Sequence, residues 1–102
     1  MLIDLRRDCN REERQRALEA GIAAARELVA TGRHYATVCN GVTTAMAGTI
    51  GEQPNVPTAF RPCSMDYFIN AAHHAARLAA AAPGSTPDSV AEAITVATKE
   101  LL

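Results

Sequence analysis

Apolar side chains recur at the spacing of an α-helix in four separate segments of this chain. The first segment follows Asn10, a residue type that caps helices, and Glu13, which is placed to complete a capping box. Gly32 then supplies a C-terminal stop. The pattern predicts a helix over about 11–31, with the core positions Leu18, Ile22, Ala25 and Val29.

The second segment carries no charged residue and predicts a helix over about 34–50, with the apolar positions Tyr35, Val38, Val42, Met46, Thr49 and Ile50. Gly41, Ala45 and Gly48 form an adjacent groove of small side chains. Because an uncharged helix should be buried on more than one side, we expect it either to be central in the bundle or to form a homodimer through this groove. Gly41 and Gly48 should then lie at close contacts, whereas Ala23 lies on the outer face of the first helix.

The third segment follows a loop over 52–63 that Pro54, Pro57 and Pro62 make stiff. Ser64 is the predicted N-cap, and Pro83 with Gly84 ends the helix. This predicts a helix over about 64–82, with the apolar positions Met65, Phe68, Ile69, Ala72, Ala76 and Ala79.

The fourth segment begins with a cap at Thr86 and a proline at the first helical position, Pro87. It predicts a helix over about 87–102 with an inward seam of Val90, Ile94, Ala97 and Leu101. Residues 1–9 precede the first helix as a short arm. We therefore predict a single all-α domain over 1–102, a compact four-helix fold with an N-terminal arm and a proline-rich loop between helices 2 and 3.

Composition supports this fold and excludes several classes of function. The chain has 21 Ala and only four aromatic residues, which is typical of thin, closely packed helices. A formal net charge of −1 provides no field that would draw the protein to nucleic acid or to an anionic membrane. The longest uncharged stretch, 35–51, is too short and too polar for a membrane span, and the N-terminus has no apolar signal segment.

The three cysteines are Cys9, Cys39 and Cys63, an odd number without a C-x-x-C pair. Reduced, mostly buried thiols fit this set better than a disulfide framework or a zinc knuckle. Cys63 lies just before a predicted helix N-terminus, where a thiol can become reactive, but an inert, buried Cys63 is the simpler interpretation. These features favour a cytoplasmic protein.

One polar stripe marks the third helix. At 100° per residue, Asp66, Asn70, His73 and Arg77 share an arc of roughly 60°. The simplest interpretation is a solvated helix face. The alternatives are a surface that recognises a partner protein, which Phe60 and Arg61 at the end of the preceding loop would extend, and an acid–base site. Phe60 could instead fold back as a lid on the core.

The sequence contains no strong motif for binding a metal ion or nucleic acid. Cys63, Asp66 and His73 are of the right type for metal ligands, but their spacing matches no ligand motif, and we expect no cofactor. Arg7, Arg11 and Arg14 form the best candidate face for phosphate, and acidic neighbours dilute it.

We therefore expect a small regulator or inhibitor that binds another protein stoichiometrically, and not an enzyme. Phage- or plasmid-encoded inhibitors of host defence systems, such as anti-CRISPR proteins, are small stand-alone proteins of this kind, although no residue identifies such a target. The alternatives are a small metal- or Cys/His-dependent enzyme and a nucleic-acid-binding regulator that uses the N-terminal arginines.

Overall fold

The computed structural model describes residues 7–51 and 63–102, and within them the fold is all-α with four helices in chain order. The helices are α1 (Arg11–Ala30), α2 (Tyr35–Gly48), α3 (Asp66–Ala81) and α4 (Pro87–Thr98), and a 3₁₀ turn over Lys99–Leu101 follows α4. Each helix packs against its neighbour in the chain, and α4 returns to α1. The predicted four-helix fold is confirmed.

Local chemistry fixes the starts of α1 and α4 as predicted. The Asn10 side chain accepts from the backbone N–H of Glu13, and the Glu13 carboxylate accepts from the backbone N–H of Asn10. Thr86 and Ser89 form the same reciprocal pair at α4, with Pro87 at the first helical position. Each capping box gives a hydrogen-bond acceptor to two backbone N–H groups that have no carbonyl partner within the helix.

The start of α3 differs from the prediction. Its N-cap is Met65, which has no side-chain capping bond, and Ser64 is not a cap. Ser64 instead pairs with the arm: its backbone N–H donates to the carbonyl of Arg7, and its carbonyl accepts from the N–H of Cys9, both at 2.9 Å. Main-chain pairing with a distant segment thus takes the place of local capping.

This pairing brings Cys9 and Cys63 together as a disulfide, with their Cα atoms 4.9 Å apart. The prediction of three reduced thiols was therefore wrong for two of them, while Cys39 is free and buried. An odd count leaves room for one pair, and the two partners are 54 residues apart. Only the arm's contact with the start of α3 identifies them.

The predicted core positions of the first three helices are confirmed at their centres. The largest fully buried side chains include Phe68, Met46, Met65, Val38 and Val42. In α4 the predicted seam was wrong in its second half: Ala97 and Leu101 are exposed, and Thr98 is fully buried. The Thr98 hydroxyl donates to the carbonyl of Ile94 at 2.8 Å, so its polar atom is satisfied and its methyl group can pack like that of valine.

Glycine allows a close approach between α1 and α2. A Cβ at Gly21 of α1 would lie 2.8 Å from Cγ of Met46, and the Leu28 side chain occupies the space that a Cβ at Gly41 would need. Gly48 differs from the prediction, since it is exposed and no atom of residues 7–51 and 63–102 lies in contact with such a Cβ, within 4 Å. Helix α2 packs between α1 and α3. Dimerisation through Gly41, Ala45 and Gly48 stays a prediction.

Candidate partner-binding surface

A polar groove separates α2 from α3 on the protein surface. It brings together three residues of the predicted stripe, Asp66, Asn70 and His73, with polar side chains of α2. Asn70 and Asp66 are exposed, and His73 is half-buried. Among the described residues, the lining is Asn40, Thr43, Thr44, Ala47, Asp66, Ile69, Asn70 and His73.

His73 is held across this groove by α2. Its Nδ1 lies 3.1 Å from the carbonyl oxygen of Cys39 and 2.9 Å from Oγ1 of Thr43. A carbonyl oxygen only accepts hydrogen bonds, so a bond to Cys39 places the ring hydrogen on Nδ1, whereas a bond donated by the Thr43 hydroxyl places it on Nε2. In either tautomer α2 holds Nδ1. The imidazole is therefore oriented before any ligand binds.

Arg77 does not line this groove, so the predicted stripe is divided into two parts. The Arg77 guanidinium lies over the ring of Tyr35, with Cζ 5.8 Å from the ring centroid. The second part of the surface is lined by Tyr35, His74, Arg77, Leu78 and Ala81. Leu78 is 75% exposed and adds apolar surface beside Arg77.

The predicted ligand set Cys63, Asp66 and His73 is not the group that the fold assembles. Among residues 7–51 and 63–102, the group whose potential ligand atoms lie within 4.8 Å of one another is Cys9, Glu13 and Cys63. Two of its members share a disulfide, and Arg7 donates to both carboxylate oxygens of the third, at 2.8 and 2.9 Å. A disulfide sulfur is not a thiolate, so in this form Cys63 is neither a nucleophile nor a metal ligand.

The Arg7–Glu13 pair has a clear electrostatic effect. The hydrogen bonds from Arg7, followed by the one from the backbone N–H of Asn10, lower the pKa of Glu13 to about 2. The same hydrogen bonds raise the pKa of Arg7. Glu13 therefore stays ionised over the neutral range and holds the arm against the start of α1.

Arg14, like Arg7, makes its hydrogen bonds within the chain. Arg14 donates to the carbonyl oxygens of Cys9 and Leu102, the latter at 2.7 Å from Nη2. Arg7 and Arg14 are thus occupied within the chain. Of the three arginines proposed for phosphate, Arg11 has no such contact in the part of the chain that the structure describes.

The residues that α2 contributes to the groove were not predicted from the sequence. Asn40, Thr43 and Thr44 have the spacing i, i+3, i+4 of one helical face, so a polar stripe in an otherwise apolar helix was the available signal. Leu78 was also missed, although it falls out of phase with Ala72 and Ala76. Phe60 and Arg61 lie outside the described residues, so their predicted role stays a prediction.

The fold and this surface were compared with known proteins. No protein-family model, curated protein or solved structure matches the chain. None of the helices in residues 7–51 and 63–102 is long and apolar enough to cross a membrane.

Proposed function

We propose that the protein is a stoichiometric binding module, a regulator or inhibitor that recognises another protein through the groove between α2 and α3. The observation that carries this proposal is the fixed His73 ring within a groove lined by two amides, two threonine hydroxyls and a carboxylate. The amides and hydroxyls among them offer both donors and acceptors to a partner.

Pre-organisation is the physical argument for recognition. The groove side chains project from two packed helices, so their backbones are already ordered before binding. Binding costs less conformational entropy when the contacting groups are held in place beforehand. Phe60, in the loop that leads to α3, would add the aromatic anchor that interface hot spots favour.

The two alternatives have weaker support. Enzymatic use of Cys63 requires a thiolate, and Cys63 is in a disulfide. Nucleic-acid binding by the N-terminal arginines requires free cations, and Arg7 and Arg14 are engaged by Glu13 and by backbone carbonyls. A cytoplasmic location stays a prediction, and the disulfide argues against it because cytosolic thiols are normally kept reduced.

The test is affinity capture from a lysate of the organism that encodes the protein, analysed by mass spectrometry. Asn70→Arg places a long charged side chain in the groove at an exposed position. Gln15→Arg makes the same chemical change on the exposed face of α1 and serves as the matched control.

We expect the wild type and Gln15→Arg to retain one specific protein, and Asn70→Arg to lose it by about tenfold or more, the scale of an interface hot spot. Phe60→Ala should weaken the same capture. Equal recovery with Asn70→Arg would refute the groove as the binding surface. Nuclease-sensitive recovery of nucleic acid, or stoichiometric metal in the purified protein, would replace the proposal with one of the alternatives.

A further inference from the structure

An unpaired guanidinium lies beside an exposed leucine at the end of α3. Arg77 lies over the Tyr35 ring, and within residues 7–51 and 63–102 it makes no ion pair and no side-chain hydrogen bond. Its N–H groups are therefore available to a partner. We call the residues Tyr35, His74, Arg77, Leu78 and Ala81 the Leu78 surface.

The Leu78 surface is built from stretches of chain that lack carboxylates. The sequence has no acidic residue between Glu27 and Glu52, and none between Asp66 and Asp88. The charged side chain on this surface is therefore the Arg77 guanidinium, although the chain as a whole has a net charge of −1. A partner for it should combine an apolar contact with negative charge.

The outer side of α4 has that complementary composition. Val96 is 62% exposed, Glu92 precedes it by one helical turn, and Glu100 follows it by four residues in the 3₁₀ turn. Both glutamates are exposed and unpaired among the described residues. Lys99 adds one positive charge nearby, so Glu92, Val96 and Glu100, which we call the Val96 face, keep an excess of negative charge.

We propose that the Leu78 surface of one chain docks against the Val96 face of a second copy. Leu78 and Val96 supply the apolar contact, and a carboxylate of the Val96 face accepts the free N–H groups of Arg77, a pairing that guanidinium geometry favours. This contact goes beyond the proposed function, because it uses none of the groove residues Asp66, Asn70 or His73.

The symmetry of this contact follows from its two different halves. Because the two surfaces lie on different parts of the chain, the association is heterologous: each copy keeps one free surface for the next copy. The assembly therefore grows with protein concentration into a ring or an open chain. A two-fold dimer through the small residues of α2 would instead stop at two copies.

Sedimentation velocity of the purified full chain tests the proposal. Arg77→Gln combined with Leu78→Ser disables the Leu78 surface, and Glu92→Gln combined with Val96→Ser disables the Val96 face. Tyr67→Ser is the matched control, because it also replaces a large exposed side chain of α3 but lies outside the Leu78 surface. Measurements at protein concentrations up to about 1 mM detect association even with a millimolar Kd. They are made at low salt, because the Debye length is about 30 Å at 0.01 M ionic strength.

We expect the wild type and Tyr67→Ser to grow beyond dimers and to dissociate as salt is added. Each double variant should be monomeric with an unchanged thermal unfolding midpoint. An equimolar mixture of the two double variants should form a dimer and no larger species, since it retains one intact pair of surfaces.

Three results would overturn the proposal. The first is a wild type that stays monomeric throughout. The second is association that both double variants retain, which would move the contact elsewhere, for example to Gly41, Ala45 and Gly48. The third is a mixture of the two double variants that stays monomeric. None of these results affects partner capture through the groove, so the two proposals fail independently.

Discussion

The Leu28 side chain of α1 fills the space beside Gly41 of α2 into which a side chain at that position would project. Gly41→Leu must therefore displace the Leu28 side chain and should destabilise the protein by about 1–3 kcal/mol. Gly48→Leu meets no atom of the described residues within 4 Å of its Cβ and should destabilise the protein by no more than about 0.5 kcal/mol. Urea unfolding measures the free energy of unfolding of both variants. Equal losses of stability would show that α1 does not contact α2 at Gly41 as described.

The disulfide predicts a specific number of free thiols. Chain denatured without reductant should react with a thiol reagent at Cys39 alone, whereas reduced and denatured chain should react at all three cysteines. Titration of three thiols in the unreduced protein would contradict the pairing.

Stability should depend on the same bond. Closing a loop between residues 54 apart restricts the unfolded chain, and the chain-entropy relation gives about 4 kcal/mol. Cys9→Ser combined with Cys63→Ser should lower the free energy of unfolding by an amount of this order, measured in urea. Cys39→Ser is the control in which the bond remains.

Acid should destabilise the protein through Glu13. A carboxyl whose pKa is lowered to about 2 in the folded state stabilises the fold fully above its unfolded pKa, near 4.5, and this contribution is lost as the pH falls towards the folded value. Glu13→Gln keeps an acceptor for the backbone N–H of Asn10 but removes the charge. The wild type should therefore lose more stability than Glu13→Gln between about pH 5 and pH 2. Urea unfolding at each pH measures this, and an equal pH dependence of the free energy of unfolding in both proteins would contradict the Arg7–Glu13 pairing.

The orientation of His73 can be measured directly. With Nδ1 donating to the Cys39 carbonyl, the imidazole nitrogen shifts of the neutral ring should identify Nδ1 as the protonated nitrogen. Thr43→Val removes the hydroxyl near Nδ1 and should leave this tautomer unchanged, because the carbonyl remains. A hydrogen on Nε2 would mean that Nδ1 accepts from the Thr43 hydroxyl and does not donate to the Cys39 carbonyl.

The phase of α4 is tested by two neighbouring positions. Thr98 is fully buried and Ala97 is exposed. Thr98→Glu should destabilise the protein by more than about 3 kcal/mol because it buries an unpaired charge. Ala97→Glu should change stability by no more than about 0.5 kcal/mol. The thermal unfolding midpoints should separate the two variants, and the reverse order would restore the seam expected from the sequence.

The sequence by itself determined which segments are helical and where α1 and α4 begin. Those properties depend on residues a few positions apart: apolar side chains recur with the helical period, and the capping residues Asn10 and Thr86 act on the first turn of their own helices. The same local reasoning placed Asp66, Asn70 and His73 on one side of α3.

Tertiary structure alone decided the rest. The Cys9–Cys63 bond, the main-chain pairing of Ser64 with Arg7 and Cys9, and the fixing of His73 by Cys39 and Thr43 join residues between 30 and 57 positions apart. Local patterns carry no information about such pairs. The phase of α4 also depended on tertiary packing. Thr98 is polar by type, and it is a core residue because α4 packs against α3 and α1 with Thr98 fully buried, while Ile94 of the same helix satisfies its hydroxyl.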